Sequence, residues 1–317
     1  TFILYLIMIL AAKEVNVRTI VKLTCIIQGA MLLSIVVMSQ IGIIPDYIFD
    51  ASTRQRHGLG FLWTTTGAIL YFYFMVLYIY LREERAHLIE YVILEAVNFG
   101  LYKLTDARMS FYLSTLLLIY VYVMRFYWQN RKDRIRKNRL LIGAPAFFCI
   151  LAVACQIFYV PTDARWQKIN SVLSGRLELG CFGWRDYGFS LLGTKIEWIG
   201  FSHNATAGTY NYVDCSYMQI LLENGLIPLI IIIAVYTYIM YMAVKEKDFY
   251  LQTAVLLITA FSITEPRLLN LAYNPLPFFG ITYISLRGRS ALFHREGHRL
   301  NRRVRFRTTH VRLKARK

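Results

Sequence analysis

The chain has 317 residues, of which 56% are hydrophobic and only 17% are charged, whereas soluble domains carry about 25% charged residues. A water-soluble globule of this size has too little polar surface to cover so many apolar side chains, which argues against a soluble enzyme, a disordered chain or a secreted disulfide scaffold. The formal net charge is +17, and in a membrane protein the first question is on which side that charge lies.

Nine apolar runs follow one another along the chain. They lie at 1–12, 21–44, 59–81, 86–104, 111–124, 140–160, 217–244, 249–263 and 275–286. The runs are continuous rather than alternating, so helices are the only structures that could use them to span a bilayer. We predict an all-α, polytopic membrane helix bundle with about nine spans. The first residue is Thr1, inside an apolar run, so we expect further helices upstream.

The distribution of Lys and Arg among the connections predicts the orientation. Alternate connections on one side carry 26 of the 36 Lys and Arg residues, and those on the other side carry 10. The richer side is cytoplasmic by the positive-inside rule. The chain then divides into a first part of the bundle (1–160), a large extracytoplasmic loop (161–213), a second part of the bundle (214–286) and a basic cytoplasmic tail (287–317). The tail is suited to contact with anionic lipids, and without a folded motif we do not expect it to bind nucleic acid.

Four outer connections retain arginines against this trend. The motifs are Arg54-Gln-Arg56-His57, Thr105-Asp106-Ala-Arg108, Ser174-Gly175-Arg176 and Thr264-Glu265-Pro266-Arg267. These residues either anchor helices at the headgroup layer or converge over one cavity. Convergence would favour an anionic ligand, because guanidinium groups bind phosphate oxygens through two parallel hydrogen bonds. The Trp and Tyr residues of the large loop would suit sugar rings. An aromatic composition of this kind also predicts that the loop forms a folded cap rather than a linker.

The order of four segments resembles the Wzy-type polysaccharide polymerases, which belong with the O-antigen ligases. The segments are RHGLG at 56–60, YKLTDAR at 102–108, LSGRLE at 173–178 and VDCSYMQILLENG at 213–225. The resemblance extends to about residue 286, and the spacing from Arg176 to Gly188 is one residue longer than the pattern of the family. It implies a protein of the bacterial cytoplasmic membrane whose active site faces outside.

The resemblance implies that the chain polymerises polyprenyl-diphosphate-linked oligosaccharide repeat units into capsular or exopolysaccharide. It also implies catalysis without metal or cofactor, and chain-length regulator and flippase proteins as partners. The residues agree with a metal-free reaction, since they contain no Asp-x-Asp, no His-Glu-x-x-His and no paired Cys ligands. The charge on the leaving group must then be stabilised by arginine.

The identity of the general base stays open between two residues. Asp214 occupies the place where the ligases have a His that opens the helix after the large loop, and His203 lies eleven residues earlier. Asp214 is equally a preferred residue for capping that helix. The predicted catalytic residues are Asp214, Arg176 and Arg108. The predicted substrate-binding residues are Arg54, Arg56, His57, Asp106, His203, Tyr217, Glu265 and Arg267.

Two other functions remain open. A ligase would transfer finished glycan to another acceptor, although the expected His is missing at position 214. A transporter or flippase would use Glu95, which lies near the middle of the fourth apolar run together with Asn98. A charge at that depth costs at least about 2.5 kcal/mol, so we expect Glu95 to face the bundle and to be paired.

Overall fold

The computed structural model describes residues 2–51, 54–130, 139–200 and 210–285, and the side chains of 50, 51, 54 and 126–130 lie outside that description. His203 and the basic tail at 287–317 lie outside the described residues as well. Over the described part the chain is mostly helical, and it contains one sheet of two strands.

The helices alternate with short connections up to the large loop. Before that loop the helices are α1 (Phe2–Ala11), α2 (Val17–Gln40), α3 (Thr66–Arg82), α4 (Leu88–Thr105), α5 (Arg108–Asn130) and α6 (Ala144–Ile157). Short 3₁₀ turns lie at Ala12–Glu14, Glu83–Arg85 and Arg139–Gly143. Within and after the loop they are α7 (Ala164–Val172), α8 (Arg176–Tyr187), α9 (Ser216–Glu223), α10 (Leu226–Lys245), α11 (Phe249–Phe261) and α12 (277–285).

Every one of the nine apolar runs contains a helix, and three helical segments of the described chain are long and apolar enough to cross a membrane. These three segments are Val17–Gln40, Arg139–Ile157 and Leu226–Lys245. Such segments indicate a membrane protein, because a span needs roughly 20 apolar residues. The prediction of helical runs is therefore confirmed, while the number of spans stays a prediction.

The most buried helices are α3 and α11, which lie in contact with each other. Phe72, Tyr73 and Phe261 are fully buried at this contact, and the ring centroids of Phe72 and Phe261 are 4.4 Å apart. By contrast, α2, α4 and α6 expose apolar side chains along one face. A lipid environment would cover such a face, whereas in water it would be an interaction or aggregation surface. Helices α3 and α11 therefore lie in the interior of the bundle.

A β-hairpin interrupts the helical pattern between α2 and α3. Strand β1 (Ile48–Ala51) pairs antiparallel with β2 (Arg54–His57), and Phe49 lies opposite Arg56. The sequence prediction was an all-α fold with Arg54 and Arg56 in a loop, so the hairpin corrects it. Its strands are only four residues long, a length at which hydrophobic periodicity carries little signal.

The large loop is folded against the bundle over its described residues. Helix α8 packs on α6 and α9, and a Cβ added at Gly180 would lie 1.6 Å from Oε1 of the buried Gln156. Glycine at this position therefore lets α8 approach α6 closely. This agrees with the expectation of a folded cap, while its position outside the membrane stays a prediction.

The seventh apolar run (217–244) is broken into α9 and α10 at Asn224 and Gly225. Gly225 has φ +97°, and the N–H groups of Leu226 and Ile227 donate to the carbonyls of Ser190 and Leu191. The large loop thereby satisfies N–H groups at the start of α10, which would otherwise lack partners.

Candidate functional site

Arg176 is the first residue of α8, and a left-handed turn directs the chain into that helix. Ser174 has φ +57° and Gly175 has φ +83°. Oδ1 of the buried Asn170 accepts a hydrogen bond from the backbone N–H of Leu177. Because an N-terminal N–H of α8 is satisfied from inside the loop, the position of Arg176 is set by α7 and α8 together.

The two acidic residues of the site come from separate segments that are joined by Ser216. The hydroxyl of Ser216 donates to the carbonyl of Glu265 at 2.5 Å and accepts from the N–H of Leu268 at 3.1 Å. Asp214 lies two residues before Ser216, and Cys215 rather than Asp214 occupies the N-cap position of α9. The alternative that Asp214 caps this helix is therefore wrong, since its carboxylate faces Arg176 instead.

The guanidinium of Arg176 lies between the two carboxylates. Its Nη2 donates to Oε1 of Glu265 at 2.9 Å, and its Nε lies 3.4 Å from Oδ2 of Asp214. The side chains of Arg176 and Glu265 are 16% and 7% exposed, while that of Asp214 is 25% exposed. Asp214 is thus the more accessible acid, and Glu265 lies at the buried end of the cluster.

Burial governs the protonation of both acids. It raises the pKa of Glu265 to about 7, with Asp214 raising it further and the positive charges of Arg176 and Arg267 opposing the shift. Burial likewise raises the pKa of Asp214, against the opposing effect of the same two arginines. The cluster therefore contains a carboxyl group that titrates near neutral pH, which is the range that general acid–base catalysis requires.

Arg267 completes this cluster from the loop after α11. Its guanidinium lies 5.1 Å from the ring centroid of Tyr273, in a cation–π contact. The Nε atoms of Arg176 and Arg267 are both buried, and neither donates a hydrogen bond within the described part of the chain. Buried donors are normally satisfied, whereas Nε of Arg267 has no acceptor among the described residues and Nε of Arg176 has only the 3.4 Å ion pair with Asp214. These guanidinium donors would suit an anionic ligand.

Aromatic side chains of the large loop lie beside the cluster. The rings of Trp198 and Tyr212 are 6.0 Å apart in an edge-to-face arrangement, and the phenol of Tyr212 lies within electrostatic range of Asp214 and Glu265. A Cβ added at Gly200 would lie 2.9 Å from the ring of Trp63. The same loop segment therefore lies near both the acid–arginine cluster (Arg176, Asp214, Glu265 and Arg267) and the connection that follows the hairpin.

A second cluster joins the hairpin to the turn between α4 and α5. Nη2 of Arg56 donates to the backbone carbonyl of Asp106 at 3.3 Å and lies 3.5 Å from its carboxylate. Nε of Arg108 donates to the other carboxylate oxygen at 3.4 Å. Asp106 itself adopts φ +50° as the C-cap of α4. The four predicted motifs thus form two clusters, Arg56 with Arg108 and Arg176 with Arg267.

His57 is paired with Asp46, a residue that no sequence motif indicated. Nδ1 of His57 lies 2.6 Å from Oδ2 of Asp46, and the other carboxylate oxygen accepts from the N–H of Leu59 at 2.7 Å. Asp46 directly follows Pro45, eleven residues before His57, and no motif in the sequence singled it out.

The sequence also offered no sign of Tyr73, because this residue lies inside an apolar run. Its buried hydroxyl has no hydrogen-bond partner among the described residues.

Three predicted site residues have no structural support for their roles: Tyr217, Arg54 and His203, the last of which lies outside the described residues. Tyr217 is fully buried, and its hydroxyl donates to the carbonyl of Thr259 at 2.7 Å. Its environment makes it a packing residue, which corrects the prediction that it binds substrate. The side chain of Arg54 is outside the described part of the chain, so its proposed contact with substrate stays a prediction.

The described residues contain no group of three or more His, Cys, Asp or Glu side chains that could hold a metal ion. Comparison of the chain with protein-family models, with curated proteins and with solved structures gave no match.

Proposed function

We propose that the chain is a membrane glycosyltransferase that polymerises polyprenyl-diphosphate-linked oligosaccharide repeat units at the outer face of the bacterial cytoplasmic membrane. The observation that carries the proposal is the largely buried guanidinium of Arg176, which lies between Asp214 and Glu265 with Arg267 beside them. This combination supplies two cations for a diphosphate and two acids of raised pKa, beside an aromatic surface that suits sugar rings.

Arg176 and Arg267 bind the diphosphate in this proposal. Nε of Arg267 is buried without an acceptor among the described residues, and Nε of Arg176 has only its 3.4 Å ion pair with Asp214. Phosphate oxygens are suitable acceptors for both. Protonation of Glu265, whose pKa is about 7, would weaken its ion pair with Arg176 and leave that guanidinium free for the leaving group. The developing negative charge is then stabilised by fixed cations in a site that largely excludes water.

Asp214 is the general base in this proposal, since it is the more exposed of the two acids. It accepts the proton of the acceptor sugar hydroxyl while the hydroxyl oxygen bonds to the anomeric carbon of the donor sugar. The bond from that carbon to the phosphate oxygen breaks, and polyprenyl diphosphate leaves with the electron pair. The reaction needs no oxidant, reductant or nucleotide sugar.

The flippase alternative has less support, because Glu95 is already paired. Its two carboxylate oxygens accept hydrogen bonds from Thr115 at 2.7 Å and from Asn98 at 3.2 Å. Asn98 also donates to the carbonyl of Phe111, so the polar group joins α4 to α5. A hydrogen-bonded pair of this kind serves helix packing.

The direct test is to replace Arg176 with Ala and with Lys in the native host and to measure polymer length and lipid-linked intermediates. Both variants should lose the polymer and accumulate single repeat units, since Lys retains the charge but not the planar fork. Arg185→Ala is the matched control, because Arg185 lies exposed on the same helix, and polymer should be normal. Membrane levels of each variant are measured by immunoblotting.

Normal polymer length in both Arg176 variants would refute the proposal, and accumulation of long lipid-linked chains would identify a ligase instead. The complementary test supplies the purified protein with a synthetic lipid-linked repeat unit and no nucleotide sugar. Oligomers are expected, and their absence with an active reference polymerase in the same assay would contradict polymerase activity.

A further inference from the structure

A pocket lies at the predicted cytoplasmic end of the bundle, away from the cluster of Arg176, Asp214 and Glu265, between the start of α2 and the end of α3. It has a volume of about 480 Å³. Three of its lining residues are basic: Arg18 and Lys22 on α2, and Arg82 on α3. The acid–arginine cluster contributes nothing to this pocket, so the following inference is independent of the proposed function.

Two of the three basic groups are held in place by acidic partners. Nη1 of Arg18 lies 2.9 Å from Glu83, and Nε of Arg82 donates to Glu90 at 2.8 Å. Nη2 of Arg18 also donates to the carbonyl of Leu81 at 3.2 Å, and Nη2 of Arg82 donates to the second carboxylate oxygen of Glu90 at 2.5 Å. Lys22 is exposed and forms no ion pair within the described part of the chain. The pocket therefore has one free positive charge beside two guanidinium groups that their acidic partners hold in place.

The polarity of the pocket changes along the helices. Lys22 is one helical turn from Ile26, about 6 Å along the axis, and Tyr78 lies one turn before Arg82 on the facing helix. The remaining apolar lining comes from Cys25 and Leu81. Because α2 is long and apolar enough to span a membrane, the basic groups lie at the end of a span and the apolar groups lie deeper. A phospholipid has the same order, with an anionic phosphate above acyl chains.

We propose that this pocket binds an anionic phospholipid of the cytoplasmic leaflet, with its phosphate at Lys22, Arg18 and Arg82 and the start of an acyl chain against Ile26. Basic pockets between membrane helices on the cytoplasmic side bind lipid headgroups of this kind. The lipid would add to the contact that Arg18 already makes between the start of α2 and the end of α3 through Leu81 and Glu83.

The test uses the purified chain, delipidated in detergent, with binding of dioleoyl-phosphatidylglycerol followed by native mass spectrometry. Dioleoyl-phosphatidylcholine, which has the same acyl chains, is the comparison lipid and should bind more weakly. Lys22→Ala should lower the affinity for phosphatidylglycerol about fivefold, since a basic residue near the surface contributes about 1 kcal/mol. Lys13→Ala is the matched control, because Lys13 lies near the same end of α2 and does not line the pocket.

Three results would overturn the proposal: equal binding of the two lipids, equal loss in the Lys13 and Lys22 variants, or unaltered affinity in Lys22→Ala. Displacement of the lipid by inorganic phosphate at millimolar concentration would assign the pocket to free phosphate and overturn the lipid as its occupant. Ile26→Trp provides a second variant with unchanged charge. It should reduce lipid binding by filling the apolar part of the pocket, and unaltered binding would place the acyl chain elsewhere.

Discussion

Nη2 of Arg176 donates a hydrogen bond of 2.9 Å to Oε1 of Glu265, a residue 89 positions later in the chain. This contact joins the first residue of α8 to the loop after α11, and both side chains are largely removed from solvent. Breaking a buried ion pair by removing one partner costs about 3–5 kcal/mol when the other stays charged. Glu265 can avoid part of that cost by binding a proton, since its pKa is about 7.

Replacement of Glu265 with Gln should flatten the dependence of stability on pH. The pKa of Glu265 is about 7 in the folded chain, against 4.5 for an exposed carboxyl, so unfolding releases a proton between these values. The stabilisation is fully present below about pH 4.5 and is lost as pH rises to about 7, by up to about 3 kcal/mol. Thermal unfolding of the wild type should therefore shift to lower temperature from pH 5 to pH 7.

In detergent solution, the midpoint of thermal unfolding of Glu265→Gln should change less steeply with pH than that of the wild type over the same pH range. Asp214, whose pKa is also raised, would leave some slope in both proteins. Equal slopes for the wild type and the variant would contradict the burial of an ionisable Glu265.

Gly225→Ala should destabilise the protein by at least about 2 kcal/mol. Gly225 has φ +97°, and an added Cβ would lie 2.4 Å from the backbone nitrogen of Gly193. Gly100→Ala provides the same substitution in a helix where nothing lies within 4 Å of the new atom. This variant should be as stable as the wild type or more stable by roughly 0.5 kcal/mol. The midpoint of thermal unfolding measures both effects. Similar midpoints for Gly225→Ala and Gly100→Ala would argue against the contact between the large loop and the start of α10.

Tyr236→Phe should loosen the loop that contains Glu265 and Arg267. The buried hydroxyl of Tyr236 donates to the carbonyl of Leu268 at 2.9 Å and accepts from Asn274 at 2.6 Å. Asn274 still donates to the carbonyl of Leu268 at 2.8 Å, so the variant loses hydrogen bonds worth about 1 kcal/mol, and both thermal stability and polymer yield should fall. Tyr112→Phe removes a hydroxyl from an exposed ring and should change neither, and a matching loss in that variant would indicate a nonspecific effect.

Arg56→Ala and Asp106→Asn should each shorten the polymer if the second arginine cluster also contacts the substrate. Asn is chosen for position 106 because it tolerates the left-handed backbone that Asp106 adopts. The Asn side chain retains its shape but no longer offers a carboxylate to Arg56 and Arg108. Normal polymer with either variant, at normal membrane levels, would restrict the substrate site to the cluster around Arg176.

The amino-acid sequence determined the helical, membrane-type character of this chain, and it located the arginines in the connections that we predict to be outer. Apolar runs are a local signal, because a span must satisfy its own backbone within one helix. Each of the nine runs contains a helix, and Arg176, Glu265 and Arg267 were identified from their motifs. The sequence could not decide whether Asp214 caps a helix or belongs to the site, since an Asp just before a helix fits either role.

Only the tertiary structure decided which arginines meet. It paired Arg176 with Glu265 across 89 residues and Arg56 with Asp106 across 50, whereas the sequence had grouped all four motifs together. It also placed Tyr217 in the core and brought Asp46 to His57. Such contacts depend on how helices and loops pack, and neither charge patterns nor periodicity records which distant segments become neighbours. For the same reason the raised pKa of Glu265 was invisible in the sequence, because burial is a property of the assembled bundle.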